Sequence, residues 1–181
     1  ALNRQFTDPD TPEAQAILQR RIEISKIGGQ RNLEVYGNLL NGRTGRFLDI
    51  ACGYGETVKS FADKGWDASG IDTDANTKPH HEAIGIRSEI CPFEKANLKG
   101  PYDLIHISHA IYFITDPMDF IVRVRELLED GGYFCVSIAD FQTCLDSGLP
   151  NYAHTFYPTR ASMLYALHRA GFSEKKRNKR N

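Results

Sequence analysis

The chain has 181 residues, of which 41% are hydrophobic, and its 22 basic residues nearly balance its 23 acidic ones. This length and hydrophobic content fit one globular domain, and the net charge of −1 provides no overall field that would attract nucleic acid or anionic lipid. No apolar run reaches the roughly 18 to 20 residues of a membrane span, and the first residues carry no signal-peptide pattern, so we expect neither a nucleic-acid nor a membrane partner.

The four cysteines lie far apart and form no C-x-x-C pair. Because zinc sites use closely spaced ligands and secreted small domains use dense disulfides, we predict reduced thiols in a cytoplasmic protein with no metal site. The chain begins with Ala1 rather than Met and ends in a basic run, so we expect a processed form or part of a longer protein.

The amino-terminal residues predict helices. Thr11, Pro12 and Glu13 fit a helix N-cap, a proline at the first helical position and an acid in the first turn. Apolar residues at helical spacing follow, stop at the Gly-Gly pair at 28–29, and resume before a polar turn. We therefore predict two helical segments, which together form a helical cap over residues 1–44.

From Arg46 onward, short β-rich runs alternate with amphipathic stretches. The predicted strands, in chain order, are RFLDIA, DASGID, AIGIRS, YDLIHIS and YFCVSIA. Helices are predicted in ETVKSFADKG after the first strand and in PMDFIVRVRELLEDGG before the fifth. Strands that alternate with helices form parallel sheets, so we predict a doubly wound, mostly parallel α/β sheet with helices on both faces.

The last third of the chain contains an irregular segment and a final helix. Residues 141–158 show no periodicity and are predicted to cover a site, because ligands of parallel sheets lie outside the carboxyl ends of the strands. The stretch TRASMLYALHRAGF predicts a helix that Thr159 caps and Gly171 ends. Residues 173–181 predict a basic, solvated tail.

The turn after the first predicted strand, in DIACGYGE, has the glycine pair of a nucleotide-binding loop. A dinucleotide fingerprint needs a third glycine where this chain has Val58, and Glu56 would place negative charge where a phosphate should bind. A ligand with a cationic centre and a ribose fits better, because Asp72 at the end of the second strand can accept from both ribose hydroxyls. The turn therefore favours such a ligand over a pyrophosphate.

The stretches LDIACGYGE and GIDTD resemble the first two motifs of the class I S-adenosylmethionine-dependent methyltransferases, and the resemblance covers residues 45–172. It implies a Rossmann-like methyltransferase fold that binds S-adenosyl-L-methionine, although the usual last strands are not evident after Phe172. Asp49 and the turn backbone would hold the methionine part, Asp72 the ribose and Thr73 the adenine edge. The implied cofactor-binding residues of these motifs are Asp49, Ala51, Gly53, Tyr54, Gly55, Asp72 and Thr73.

Two further stretches resemble later motifs of the same family. In IRSEICPF, Glu89 would accept from the adenine amino group, and Ile90 would offer backbone and an apolar wall. YDLIHISHAIYFITDP is similar to the fourth motif and would place Ser108 and His109 under the methyl donor. The Tyr-Phe pair at 112–113 stands where many relatives have Glu-His, so the acceptor of those relatives does not carry over.

The predicted activity is in-line methyl transfer to a small molecule, in which alignment of the reactants lowers the barrier. A general base is needed only where the acceptor loses a proton, and His109 and His154 are the candidates. The adjacent His80 and His81 predict a solvated helix end rather than a metal site. Two alternatives stay open: a non-catalytic cofactor-binding or interaction domain of a longer protein, and an NAD(P)-dependent oxidoreductase.

Overall fold

The computed structural model describes residues 11–139, 141, 145 and 154–175. These residues form a five-stranded parallel sheet with helices on both faces. The strands are β1 Arg46–Ile50, β2 Asp67–Asp72, β3 Arg87–Ile90, β4 Tyr102–Ser108 and β5 Leu128–Ser137. The helices are α1 Pro12–Tyr36, α2 Glu56–Ala62, α3 Lys78–Ala83, α4 Pro117–Leu127 and, as α5, Arg160–Arg169. Short 3-10 helices lie at Ala75–Thr77, Phe93–Lys95 and Ile111–Phe113.

The strand order is β3-β2-β1-β4-β5, which confirms the predicted doubly wound sheet. The chain first builds outward from β1 to β3 and then returns to add β4 on the other side of β1. Strand order therefore reverses between β1 and β4. In open parallel sheets, a crevice for ligands forms outside the carboxyl ends of the strands at this reversal.

Two apolar layers hold the sheet between its helices. Side chains alternate across a strand, so Leu48 of β1 packs in one layer with α4 and α5, while Phe47 packs in the other with α1 and α2. The Phe47 ring stacks on Phe61 of α2, with ring centroids 4.0 Å apart. The two layers fix the helices, and hence the loops at the strand ends, against a rigid sheet.

The amino-terminal helix is continuous, so the prediction of two helical segments is wrong. Helix α1 runs through Gly28 and Gly29 without a break. Gly29 lies against α2, where an added Cβ atom would stand 2.5 Å from the carbonyl oxygen of Glu56. A close approach between two helices thus explains the glycine there, and helix packing overrides the weak helix propensity of the pair.

Two predicted element boundaries also differ from the structure. The third strand begins at Arg87, near the end of the predicted run AIGIRS, because Gly85 with φ +70° follows α3 and the chain turns there. Helix α4 ends at Leu127 rather than at the Gly-Gly pair at 131–132. That pair lies inside β5, near the place where the register between β4 and β5 shifts.

The carboxyl-terminal helix is confirmed. Thr159 caps α5, and its side chain and that of Ser162 bond to each other's backbone N–H groups as a capping box. Gly171 follows the helix with φ +86°. Most of the predicted cover segment, 141–158, and most of the basic tail lie outside the described residues. Among the helices that the structure describes, none is long and apolar enough to cross a membrane.

Candidate functional site

A cavity of about 600 Å³ opens at the carboxyl ends of β1, β2 and β4. This is the position that the reversal of strand order predicts for a ligand. The volume falls within the roughly 300 to 1,000 Å³ of small-molecule sites. The apolar part of its wall includes Ile50, Ile71, Phe93, Ile107, Ile114 and Phe120.

The glycine turn between β1 and α2 borders this cavity. Ala51, Gly53 and Gly55 have φ angles of 56°, 55° and 77°, in the left-handed region that glycine adopts without strain. The Gly53 N–H donates to Oδ2 of Asp72 at 2.6 Å, and the Gly55 N–H donates to the Cys52 carbonyl at 2.9 Å. The turn is therefore tied to the end of β2 as well as to itself.

Asp72 is half-buried at the edge of the cavity, with the exposed Thr73 beside it. Its Oδ1 accepts from the Asp74 N–H at 2.9 Å, and its Oδ2 accepts from the Gly53 N–H. Each carboxylate oxygen can accept two hydrogen bonds, so each retains one acceptor position for a ligand. The side chain of Asp74 caps the following 3-10 helix.

The adjacent histidines of α3 are not a solvated helix end, so that prediction is wrong. His81 is 1% exposed, and its Nε2 and Nδ1 lie 2.7 Å from the Gly53 carbonyl and 2.9 Å from the Ser88 hydroxyl. His80 Nε2 lies 2.8 Å from a carboxylate oxygen of Glu56. Glu56 is 5% exposed, so its carboxyl group is shielded from solvent beside His80. The short helix α3 places both rings against the glycine turn.

A buried pair below the strand ends was missed by the sequence analysis. Asp49 of β1 is 3% exposed, and its carboxylate lies 2.6 Å from Nδ1 of His106, which is 1% exposed on the neighbouring β4. Nε2 of His106 has no hydrogen-bond partner among the described residues. The Tyr36 ring packs against the imidazole at a tilt of 47°, with ring centroids 5.5 Å apart. Asp49 is thus a buried acid whose carboxylate bonds to His106.

The two predicted residues of the third motif immediately precede, in the chain, the residues that form the cavity wall. Glu89 is exposed and Ile90 is half-buried, and both belong to β3. The wall is formed instead by the next three residues, Cys91, Pro92 and Phe93. Desolvation raises the pKa of the Cys91 thiol, and so does the hydrogen bond that the thiol makes with Glu89. Because β3 extends to Ile90, the turn that faces the cavity begins later than the motif spacing predicts.

The residues after β4 surround Tyr112. Ser108 is the last residue of β4, and the exposed His109 follows it with φ 50° and donates its N–H to the Ser137 carbonyl at 2.9 Å. The Tyr112 hydroxyl lies 3.5 Å from Nδ1 of His109. The ring of His154 stacks on Tyr112 with centroids 4.6 Å apart. The structure therefore brings both predicted catalytic histidines to one tyrosine, His109 near its hydroxyl and His154 on the face of its ring.

The charged side chains of the cavity wall are mostly acidic. Among the described residues, the lining carboxylates are Asp72, Glu94, Asp116 and Asp119, and Arg123 is the one lining cation. The Arg123 guanidinium donates to the carbonyls of Phe93 and Ala96 at 2.7 and 2.9 Å. Because that cation is already engaged by backbone oxygens, the wall favours a cationic ligand over a phosphate.

The cavity thus gathers only some of the predicted residues. Ala51, Asp72 and Thr73 line it. The predicted residues that do not line it are Asp49, Gly53, Tyr54, Gly55, Glu89, Ile90, Ser108, His109 and His154. Tyr54 is half-buried beside α3, with its ring edge-on to His80 at 5.9 Å. Within the described residues, no group of three or more His, Cys, Asp or Glu side chains is placed to hold a metal ion.

Residues 19–174 match the protein family described as "Methyltransferase domain". A curated ubiquinone biosynthesis O-methyltransferase of Caulobacter sp. (strain K31) is 29% identical in an alignment 109 residues long, and the match covers 54% of this chain and 43% of that protein. The matched part is therefore less than half the length of this curated relative.

The fold is similar to that of solved methyltransferases. A possible histamine N-methyltransferase of Thermotoga maritima superposes with a TM-score of 0.69 and 19% identity, over 88% of this chain and 77% of that one. The plantazolicin methyltransferase BpumL, solved in complex with SAH, superposes with a TM-score of 0.60 and 14% identity, over 91% of this chain and 66% of that one. At these identities, the likeness concerns the fold.

Proposed function

Because the chain belongs to the methyltransferase domain family that residues 19–174 match, we propose that it is an S-adenosylmethionine-dependent methyltransferase that acts on a small-molecule acceptor. The observation that carries this proposal is the cavity at the reversal of strand order, with Asp72 at its edge and predominantly acidic charge on its wall. A ribose and a cationic centre suit this wall, and a pyrophosphate does not.

The described residues fit an adenosyl ligand. The free acceptor positions on the Asp72 carboxylate suit the two hydroxyls of a ribose. The apolar wall near Ile71 and Phe93 suits a flat purine ring. Ala51 and Gly53 would hold the methionine end through their backbone, with Tyr54 and Gly55 shaping the turn. Contacts of the adenine with Thr73, and of the ligand with the motifs at 89–90 and 108, stay predictions.

S-Adenosylmethionine would supply an electrophilic methyl group on a sulfonium, so that an acceptor lone pair forms the new bond to carbon while the carbon–sulfur electron pair returns to sulfur and S-adenosylhomocysteine leaves. The chain's own task is then to hold two reactants in line and to exclude water, since proximity and orientation lower the barrier. The rigid strand ends of β1, β2 and β4 suit that task.

A hydroxyl acceptor would also require a base. His109 is exposed after β4, and its imidazole and that of His154 both lie next to Tyr112. We assign the base to one of these two histidines, because the ordinary pKa of histidine is close to neutral pH. A neutral amine acceptor would need neither. Loss of turnover in His109→Ala or His154→Ala, with S-adenosylhomocysteine affinity retained, would identify the base.

The proposal is tested by calorimetric titration with S-adenosylhomocysteine and, separately, with NAD. We expect saturable binding of the first at one site and no binding of the second. Binding of NAD alone would instead support the oxidoreductase alternative. If S-adenosylhomocysteine binds but no small molecule accepts a labelled methyl group, the chain is a cofactor-binding domain without its own activity.

A further inference from the structure

We infer that His81 is a positioning residue for the cofactor turn: it holds the Gly53 peptide in the geometry that the ligand requires, without touching the ligand itself. This inference rests on the proposed function and adds to it a residue that none of the sequence motifs contains. It also gives a task to a buried histidine that the methyl-transfer chemistry does not use.

The first step of the argument is the direction of the hydrogen bond. A carbonyl oxygen only accepts, so Nε2 of His81 must carry the proton that is donated to the Gly53 carbonyl at 2.7 Å. Nδ1 of the same ring is held by the Ser88 hydroxyl of β3 at 2.9 Å. Both ring nitrogens are therefore engaged, and the imidazole has one orientation.

The second step is that Gly53 is held from two sides. Its carbonyl accepts from His81, and its N–H donates to Asp72 at 2.6 Å. With φ at +55°, Gly53 has left-handed backbone geometry and lies before the first turn of α2. Its two peptide groups thus depend on side chains of α3 and β2. A continuous series of contacts runs from Ser88 through His81 and Gly53 to Asp72, the proposed ribose acceptor.

The third step concerns the rest of the turn. A Cβ atom added to Gly55 would stand 3.1 Å from Cδ2 of His81 and 2.2 Å from Ile86, so the ring packs directly under the turn. The neighbouring His80 engages the Glu56 carboxylate at 2.8 Å. Two consecutive residues of α3 therefore hold the turn near both of its ends, and α3 acts as its support.

Three variants distinguish the loss of the His81–Gly53 hydrogen bond from a general loss of fold stability. His81→Leu removes the donor, whereas His81→Gln retains an amide N–H that can reach the Gly53 carbonyl. Leu128→Ala is the control, because Leu128 is buried at the start of β5, at the opposite end of the sheet from the turn. It lowers stability through a core cavity and leaves the turn intact.

Two measurements are made on each variant: S-adenosylhomocysteine affinity by calorimetry, and hydrogen exchange of the Gly53 amide in the ligand-free protein. We expect His81→Leu to bind about tenfold more weakly, as the loss of one hydrogen bond implies, and to exchange the Gly53 amide faster. His81→Gln should stay close to wild type in both, and Leu128→Ala should change neither.

The inference is overturned if His81→Leu keeps wild-type exchange at Gly53, or if Leu128→Ala weakens binding as much as His81→Leu does. If the wild-type chain itself does not bind S-adenosylhomocysteine, the proposed function fails, while the Gly53 exchange still decides whether His81 positions the turn. Should His81→Leu not fold, Ser88→Ala, which removes only the support of Nδ1, gives the same exchange test.

Discussion

Asp72 combines two tasks at one residue, since its carboxylate ties down the glycine turn and presents free acceptor positions to the cavity. We predict that Asp72→Asn weakens S-adenosylhomocysteine binding by about 1 to 3 kcal/mol, because charged hydrogen bonds to the ribose are lost while the side-chain shape is kept. Calorimetry measures the effect. Asp130→Asn, the same change at an exposed carboxylate outside the cavity wall, serves as the control and should keep the wild-type affinity. Unchanged affinity in Asp72→Asn would refute the ribose assignment.

Single residues also affect the stability of the fold, and the buried pair of Asp49 and His106 is the clearest case. We predict that His106→Leu lowers the free energy of unfolding by about 3 to 5 kcal/mol, because it leaves the Asp49 carboxylate buried without its partner. Urea denaturation measures the loss. His168→Leu on the exposed surface of α5 should change stability by less than about 0.5 kcal/mol.

A second variant separates the charge from simple loss of packing. Adding Asp49→Asn to His106→Leu removes the uncompensated charge, so we expect the double variant to recover part of the stability. If His106→Leu alone is as stable as wild type, then the pair does not carry the charge that this prediction assumes.

At the scale of the element, α1 contains two adjacent glycines in different surroundings. An added Cβ at Gly28 meets nothing within 4 Å, whereas at Gly29 it would stand 2.5 Å from the carbonyl oxygen of Glu56. We predict that Gly28→Ala stabilises the fold by about 0.5 to 1 kcal/mol through helix propensity. Gly29→Ala should destabilise it by about 1 to 3 kcal/mol through overpacking between α1 and α2.

The two substitutions serve as controls for each other, because both add one methyl group to the same helix. Chemical denaturation of the pair measures the difference in sign. Equal effects of the two would show that α1 does not pack on α2 as closely as the structure has it.

At the scale of the whole molecule, the cavity is built from the ends of three strands and from α4, so a ligand there connects elements that are distant along the chain. We predict that S-adenosylhomocysteine at about 100 times its dissociation constant raises the free energy of unfolding by about 2.7 kcal/mol. Urea denaturation with and without ligand measures this, and NAD at the same concentration is the control. An unchanged transition midpoint would contradict binding to the folded state.

Particular residues show which parts of the site could be predicted from the sequence. Asp72 was predicted, because an acid that closes the second strand beside a glycine turn is a local pattern, and the structure brings it to the cavity. His106 lies in an apolar strand run and carries no local signal. Its pairing with Asp49 depends on the register between β1 and β4. His80 and His81 were wrongly predicted to be solvated, because their burial depends on where α3 packs.

The sequence by itself determined the parallel α/β architecture, the glycine turn and the acid at the end of β2, because alternating apolar periodicity, turn glycines and strand ends are properties of short segments. Only the tertiary structure decided that α1 is one helix, that Cys91 to Phe93 rather than Glu89 form the cavity wall, and that His81 supports the turn. These features depend on contacts between segments far apart in the chain, and packing, not local propensity, sets them.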